Sequence, residues 1–218
     1  MTQVVVEPTK ALDFFRLVGK LKTTKRTGWV NNEVMLPESI ADHMYRMSML
    51  AMMITDPTID KDRLIKICLV HDLGESIVGK LHNPTLSIIS YHIISYHIIL
   101  YQILGDIVPH DARVPPEEKQ RREHEAMTKI ANDINHEHIS KEILELWIDY
   151  EHQKSPEAHV AKNLDKYEMI VQADEYEREQ NKVLQSFFDS TKDSFTHPEV
   201  HAWANVLWNE RDKRLGNV

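Results

Sequence analysis

Residues 61–79 read KDRLIKICLVHDLGESIVG. Leu64, Ile67, Cys68 and Val70 recur at the spacing of one buried helix side, and Asp60 stands where a helix cap belongs. The stretch therefore predicts a helix. Inside it sit His71 and Asp72, with Glu75 close behind and apolar Leu69, Val70, Leu73 and Ile77 around them. A continuous helix brings His71, Asp72 and Glu75 to neighbouring positions on one face. Ionisable groups in such an apolar setting are costly unless they are paired or bound to a metal ion.

The same helical punctuation runs outward in both directions. Leu12, Phe15, Val18 and Leu21 predict a first helix over about 8–22, and LKTTKRTGWVNNEV reads as a loop. Pro37 suits a first helical position, giving a helix over about 38–55. Its Met44, Met47, Met52 and Met53 read as core packing. Pro115 or Pro116 opens a polar helix, SKEILELWIDYEHQ predicts another over 140–153, Ser155-Pro156 starts one reaching about 180, and His197-Pro198 starts the last. No alternating strand stands out in these segments, and no Gly/Ser linker divides them. The expected architecture is an all-α helical bundle forming one domain over 1–218, with its core at about 8–214.

Composition narrows the function. The chain has 218 residues, 42% of them hydrophobic and 28% charged, which suits a folded domain. A net charge of −8 argues against a nucleic-acid polymer or an anionic membrane as partner. Cys68 is the only cysteine, so no intramolecular disulfide forms, and MTQVVVEPTK is too weakly apolar for a signal peptide. A reducing, cytoplasmic setting is expected.

Four segments carry groups capable of chemistry: PESIADHMYRM with His43, LVHDLGES with His71, Asp72 and Glu75, NLDKYEM with Asp165, and the basic loop KTTKRTGW with Arg26 and Trp29. A His-Asp dipeptide alone is common and decides little, and a lone Arg in a basic run is ordinarily solvated. Two imidazoles and two carboxylates, however, make a mixed N/O ligand set. That set suits Mn²⁺, Fe²⁺, Co²⁺ or Mg²⁺ better than a closed structural zinc site.

With this wording and in this order, the segments resemble the HD-domain phosphohydrolases, and most closely their 5′-deoxynucleotidase branch. RTGWV, PESIADHMYRM, LVHDLGESIVG, EEKQRREHEAM, ELWIDYE, LDKYEMIVQADEYE and HPEV carry the likeness over nearly the whole chain. The resemblance implies an HD-domain fold in which His43, His71, Asp72 and Asp165 hold one divalent metal ion. It implies Glu75 as the catalytic carboxylate, Arg26 as the phosphate-contacting arginine, and Trp29 as an aromatic shaping that pocket. The activity implied is hydrolysis of deoxynucleoside 5′-monophosphates to nucleoside and phosphate by a homodimer. No residue in these motifs reads a base, so breadth among nucleobases is expected. The rival reading is a catalytically silent isoform that keeps metal or partner binding. A triphosphate substrate is disfavoured by the few basic residues near the motifs.

One stretch departs from the pattern. Residues 81–105 contain no Asp, Glu, Lys or Arg, and IISYH occurs in tandem at 88–92 and 93–97. In the family the HD helix runs into a Gly-Asp whose aspartate lies near the substrate sugar. Here Gly79 is followed by Lys80, and Gly-Asp-Ile resumes at Gly105-Asp106-Ile107. Removing 80–105 joins ESIVG to DIVPHD without a seam, and the flanking codons can spell splice-site-like sequences. The segment reads as an insertion, either a retained in-frame intron or an isoform-specific piece. Asp106 is the expected sugar-contacting residue. Ser90, His92, Ser95, His97 and Gln102 make the stretch a poor membrane span, and its Ile/Tyr content suits an association surface better.

Overall fold

A computed structural model of the chain describes residues 5–78 and 116–216. The expected insertion at 80–105 and the expectation for Asp106 lie outside these residues. The described residues are helical without a strand. Their one extended pairing is an isolated antiparallel bridge between Lys25 and Ser39. In chain order they give α1 (Pro8–Val18), a 3-10 turn (Gly19–Lys22), α2 (Thr27–Asn31), α3 (Ile40–Met53), α4 (Lys61–Val70), α5 (Glu75–Val78), α6 (Pro116–Ile134), α7 (Glu137–His152), α8 (Pro156–Gln180), α9 (Gln185–Asp189) and α10 (Pro198–Leu215). The all-α class read from the sequence is the observed one.

Helix starts follow the local chemistry. Pro8 opens α1 behind Glu7, whose carboxylate accepts from the backbone N–H groups of Thr9 and Lys10. Ser155 caps α8 by accepting from the Ala158 N–H, with Pro156 in the first turn. Pro198 opens α10, and Gly216, at a φ of 73°, closes it in the left-handed conformation that glycine adopts without strain. Pro37 does not open α3. Ser39 and Asp42 do, in a reciprocal box: the Asp42 N–H donates to Ser39 Oγ at 3.2 Å, and the Ser39 N–H donates to Asp42 Oδ2 at 2.8 Å.

The helix read over about 8–22 is present as α1 and the 3-10 turn, with Leu12 and Phe15 47% and 67% exposed. The inner face of α1 is one residue away: Phe14 and Leu17 line one cleft with Ile130 and Ile134 of α6. Two expectations about faces and boundaries are corrected. Met44 and Met47 are core residues, whereas Met52 and Met53 are exposed. The helix predicted over 61–79 breaks at 71–74. There, bonds from Leu73 N–H to Val70 O, Glu75 N–H to Asp72 O and Ser76 N–H to Leu73 O tighten the chain into three-residue steps. Gly74 weakens helix continuation at this point, and a methyl group at its Cα would lie 3.5 Å from the Met127 side chain. His71 and Asp72 therefore sit on a turn, with Glu75 opening α5, rather than all three on one helix. Two short helices, α2 and α9, occupy stretches without a clear helical pattern.

The chain divides into two compact units, one drawn from Met1–Asp42 and Val70–Trp147, the other from His43–Leu69 and Ile148–Val218. In the first, α1, the 3-10 turn and α5 pack with one another and α1 and α5 pack on α6. Met127, Ile130, Ala131 and Ile134 form the buried stripe of α6 at helical spacing. Its outer face carries i,i+4 ion pairs such as Arg121–Glu125 and Lys129–Asp133. In the second unit α8 is the central helix, buried on several sides, with α9 and α10 against it. Arg211 of α10 forks onto Glu177 of α8 with both bonds at 2.8 Å, and Arg214 reaches the same carboxylate.

Asp149 ties the loop before α8 to α4. Its carboxylate accepts from the Ser155 N–H at 2.9 Å, from the Ser155 hydroxyl at 2.7 Å, and from Arg63. Burial pushes the Asp149 carboxyl upward, but the bonds from Ser155 and Arg63 outweigh it and hold the group below the ordinary aspartate value. Asp149→Ala should destabilise the protein by about 2–3 kcal/mol in urea unfolding at neutral pH. A folded-state value below the unfolded one contributes stability above the unfolded pKa. The deficit of the variant should therefore shrink as pH falls through about 4 and below.

Candidate metal centre

In the second unit, α3 and α8 face each other through charged groups. His43 and Arg46 are three residues apart on α3, and Asp165, Glu168, Gln172 and Glu175 follow one another at helical intervals on α8. His43 is fully buried. Its Nδ1 pairs with Glu168, a carboxylate that is itself fully buried. Its Nε2 faces Asp165 Oδ1 at 3.3 Å. The second oxygen of Asp165 accepts from the Tyr150 hydroxyl at 2.7 Å, and Lys162 lies 3.9 Å over the Tyr150 ring.

Arg46 closes the arrangement. Its Nε donates to Glu168 Oε1 at 2.9 Å, one terminal nitrogen to Glu175 at 2.7 Å and the other to Gln172 at 2.6 Å. Burial lowers the Arg46 pKa, yet Glu168 and Glu175 overcome this and raise it above the ordinary value. The positive charge that balances Glu168 is therefore permanent.

In the first unit, His71 is buried and its Nε2 lies 3.3 Å from Asp72 Oδ2. Glu75, at the start of α5, is 5% exposed. Lys119 of α6 bonds Glu123. Burial lowers the Lys119 pKa, but Glu123, Glu75 and Asp72 together raise it above the ordinary lysine value. Lys119 thus supplies a fixed positive charge beside the His-Asp turn. Arg26 and Trp29 meet at a common partner: Arg26 Nη1 lies 3.8 Å from Glu38 Oε1, and the Trp29 indole donates to the same oxygen at 2.9 Å. Trp29 is 1% exposed, so it anchors the loop from within.

Each unit thus brings predicted residues together: His43 with Asp165, His71 with Asp72, and Arg26 with Trp29 through Glu38. Glu168, Arg46, Tyr150, Lys119 and Glu38 were not singled out by sequence reading. Two of them were within sight, because Arg46 and Glu168 each stand three residues after a predicted ligand, in DHMYR and DKYE.

The donor chemistry can be tested against a bound cation. A neutral imidazole carries one N–H. With that proton on Nδ1 toward Glu168, the lone pair of Nε2 confronts a carboxylate oxygen of Asp165. Two electron-rich atoms at 3.3 Å attract through a cation shared between them, either a metal ion or a second ring proton. His43 and Asp165 accordingly belong to a His/Asp group able to hold a metal ion, and a mixed N/O set suits a divalent first-row ion or Mg²⁺.

Comparison with known proteins agrees with this chemistry. The HD domain family model matches residues 18–90 and 102–203. The chain belongs to the HD-domain family. The interval left between the two matched parts falls inside the 80–105 segment. Among HD-domain relatives, the mouse (Mus musculus) protein 5′-deoxynucleotidase HDDC2 is 45% identical over 209 residues, covering 95% of this chain and 91% of its own. The Dictyostelium discoideum protein of the same name is 43% identical, covering 92% and 97%. The solved structure of the Saccharomyces cerevisiae HD domain-containing protein YGK1 superposes with a TM-score of 0.66 at 30% identity, covering 95% of this chain and 88% of that one. HD-domain proteins are metal-dependent, in keeping with the His/Asp pairings of this chain.

Proposed function

We propose that the chain is a metal-dependent phosphomonoester hydrolase that converts deoxynucleoside 5′-monophosphates to nucleoside and phosphate. The observation that carries this reading is the extent of its likeness to proteins named 5′-deoxynucleotidase, at 38–45% identity over most of the chain in mouse, human and budding yeast. The same likeness favours a working hydrolase over a silent isoform. The imidazole of His43 between two carboxylates supports it independently.

In this reading His43, His71, Asp72 and Asp165 hold one divalent ion, with Mn²⁺, Co²⁺, Mg²⁺ and Fe²⁺ as the candidates. When bound, such an ion lowers the pKa of water and neutralises phosphate charge. Glu75, buried and close to the charge of Lys119, orients the attacking water and accepts its proton. Arg26 holds the phosphate oxygens through its planar fork, and Glu38 aims the guanidinium from behind. Trp29 fixes Glu38 and so shapes this pocket from below. Asp106 is assigned the sugar. The attack is in line, with the 5′-oxygen leaving. Two copies of the chain form the working unit, in the cytoplasm. No described helix is long and apolar enough to cross a membrane.

Phosphate release from dAMP with added Mn²⁺ or Co²⁺ tests the reading. Wild-type protein should release phosphate, His71→Ala should lose the metal-dependent release, and Glu75→Gln should lower it by about 100- to 10,000-fold. No release by the wild type, or equal release by His71→Ala, would overturn the proposal.

A further inference from the structure

The pairing behind His43 extends the reading just given, on which this inference rests. His43 Nδ1 meets one oxygen of the fully buried Glu168, and the other oxygen of Glu168 accepts from Arg46 Nε at 2.9 Å. Arg46 is held in turn by Gln172 and Glu175. Each side-chain oxygen of Glu168 thus faces a nitrogen of its own. An ionised carboxylate only accepts, so the nitrogen facing it must carry the imidazole proton. In the neutral ring, Nε2 is then left with its lone pair toward Asp165 Oδ1.

We infer that Glu168 and Arg46 are positioning residues of the metal centre: Glu168 fixes the tautomer and ring orientation of His43, and Arg46 fixes Glu168. Hydrogen-bonded partners of ligating histidines set ligand orientation and basicity in metal sites generally. The arrangement here adds a directional element. Because Arg46 can only donate, it claims one oxygen and leaves a single, defined acceptor for Nδ1–H.

This asymmetry makes Glu168→Gln a sharp test. The amide is nearly isosteric, but Arg46 Nε will retain the amide oxygen and turn the NH₂ group toward His43. Nδ1 must then accept, so the ring proton moves to Nε2 and blocks the ligand lone pair. Mn²⁺ affinity, measured by electron paramagnetic resonance titration, should fall by about 10- to 100-fold. Long-range ¹H–¹⁵N spectra of the metal-free protein, with His43 assigned by His43→Gln, should report Nδ1–H in the wild type and Nε2–H in Glu168→Gln. A merely structural role for Glu168 would not switch that signature. Should Glu168→Gln fail to fold, judged by its thermal melt without metal, Arg46→Met leaves the carboxylate but frees its second oxygen. It should weaken Mn²⁺ binding by about 10-fold.

Wild-type binding matched by a folded variant with an unchanged His43 tautomer would overturn this inference alone. Absence of Mn²⁺ binding by the wild type, or full binding by both His43→Gln and His71→Ala, would overturn the metal reading and this inference with it.

Discussion

A single imidazole held between two carboxylates constrains the site. His43 is fully buried with Glu168 on one ring nitrogen and Asp165 on the other. A neutral ring satisfies only one of them. With the ring neutral, the contact to Asp165, whose side chain is 23% exposed, is one that a shared cation makes attractive. Arg46 neutralises Glu168 permanently through a charge-assisted bond. That leaves the Asp165 side, where the hydroxyl of Tyr150 already directs the second carboxylate oxygen. The need for positive charge therefore converges on the His43–Asp165 pair.

The His71–Asp72 pair of the first unit is built differently. His71 and Asp72 lie on a tight turn that interrupts α4 and α5, so backbone geometry rather than helix periodicity sets their directions. Lys119 supplies a charge beside them that stays positive. The buried Trp29 and its partner Glu38 hold Arg26 at the start of the short helix α2, in a stretch that reads as a basic loop.

Much of this was legible in the residues. Proline and serine at helix starts gave α8 and α10 nearly to the residue, and the motif segments picked out His43 and Asp165, which lie 3.3 Å apart. The break at 71–74 was not legible, because the apolar pattern of Leu69, Val70, Leu73 and Ile77 continues straight through it. The inner face of α1 was not fixed by spacing either: Phe14 and Leu17 fit a helical spacing as well as Leu12 and Phe15 do, and only packing against α6 chooses between them. Glu168 and Arg46 look like ordinary surface charges in one dimension. Their pairing joins positions 122 residues apart, a relation that local propensity does not encode. Nor could a basic loop announce that its tryptophan points inward.

The most direct measurement is anomalous diffraction at the manganese edge from crystals grown with Mn²⁺. A single strong peak per chain, bonded to His43 Nε2 and to a carboxylate oxygen of Asp165, with His71 and Asp72 completing the protein ligands, is the predicted result. A peak held by other residues, or none at all with His43 and Asp165 directly hydrogen-bonded, would contradict the account.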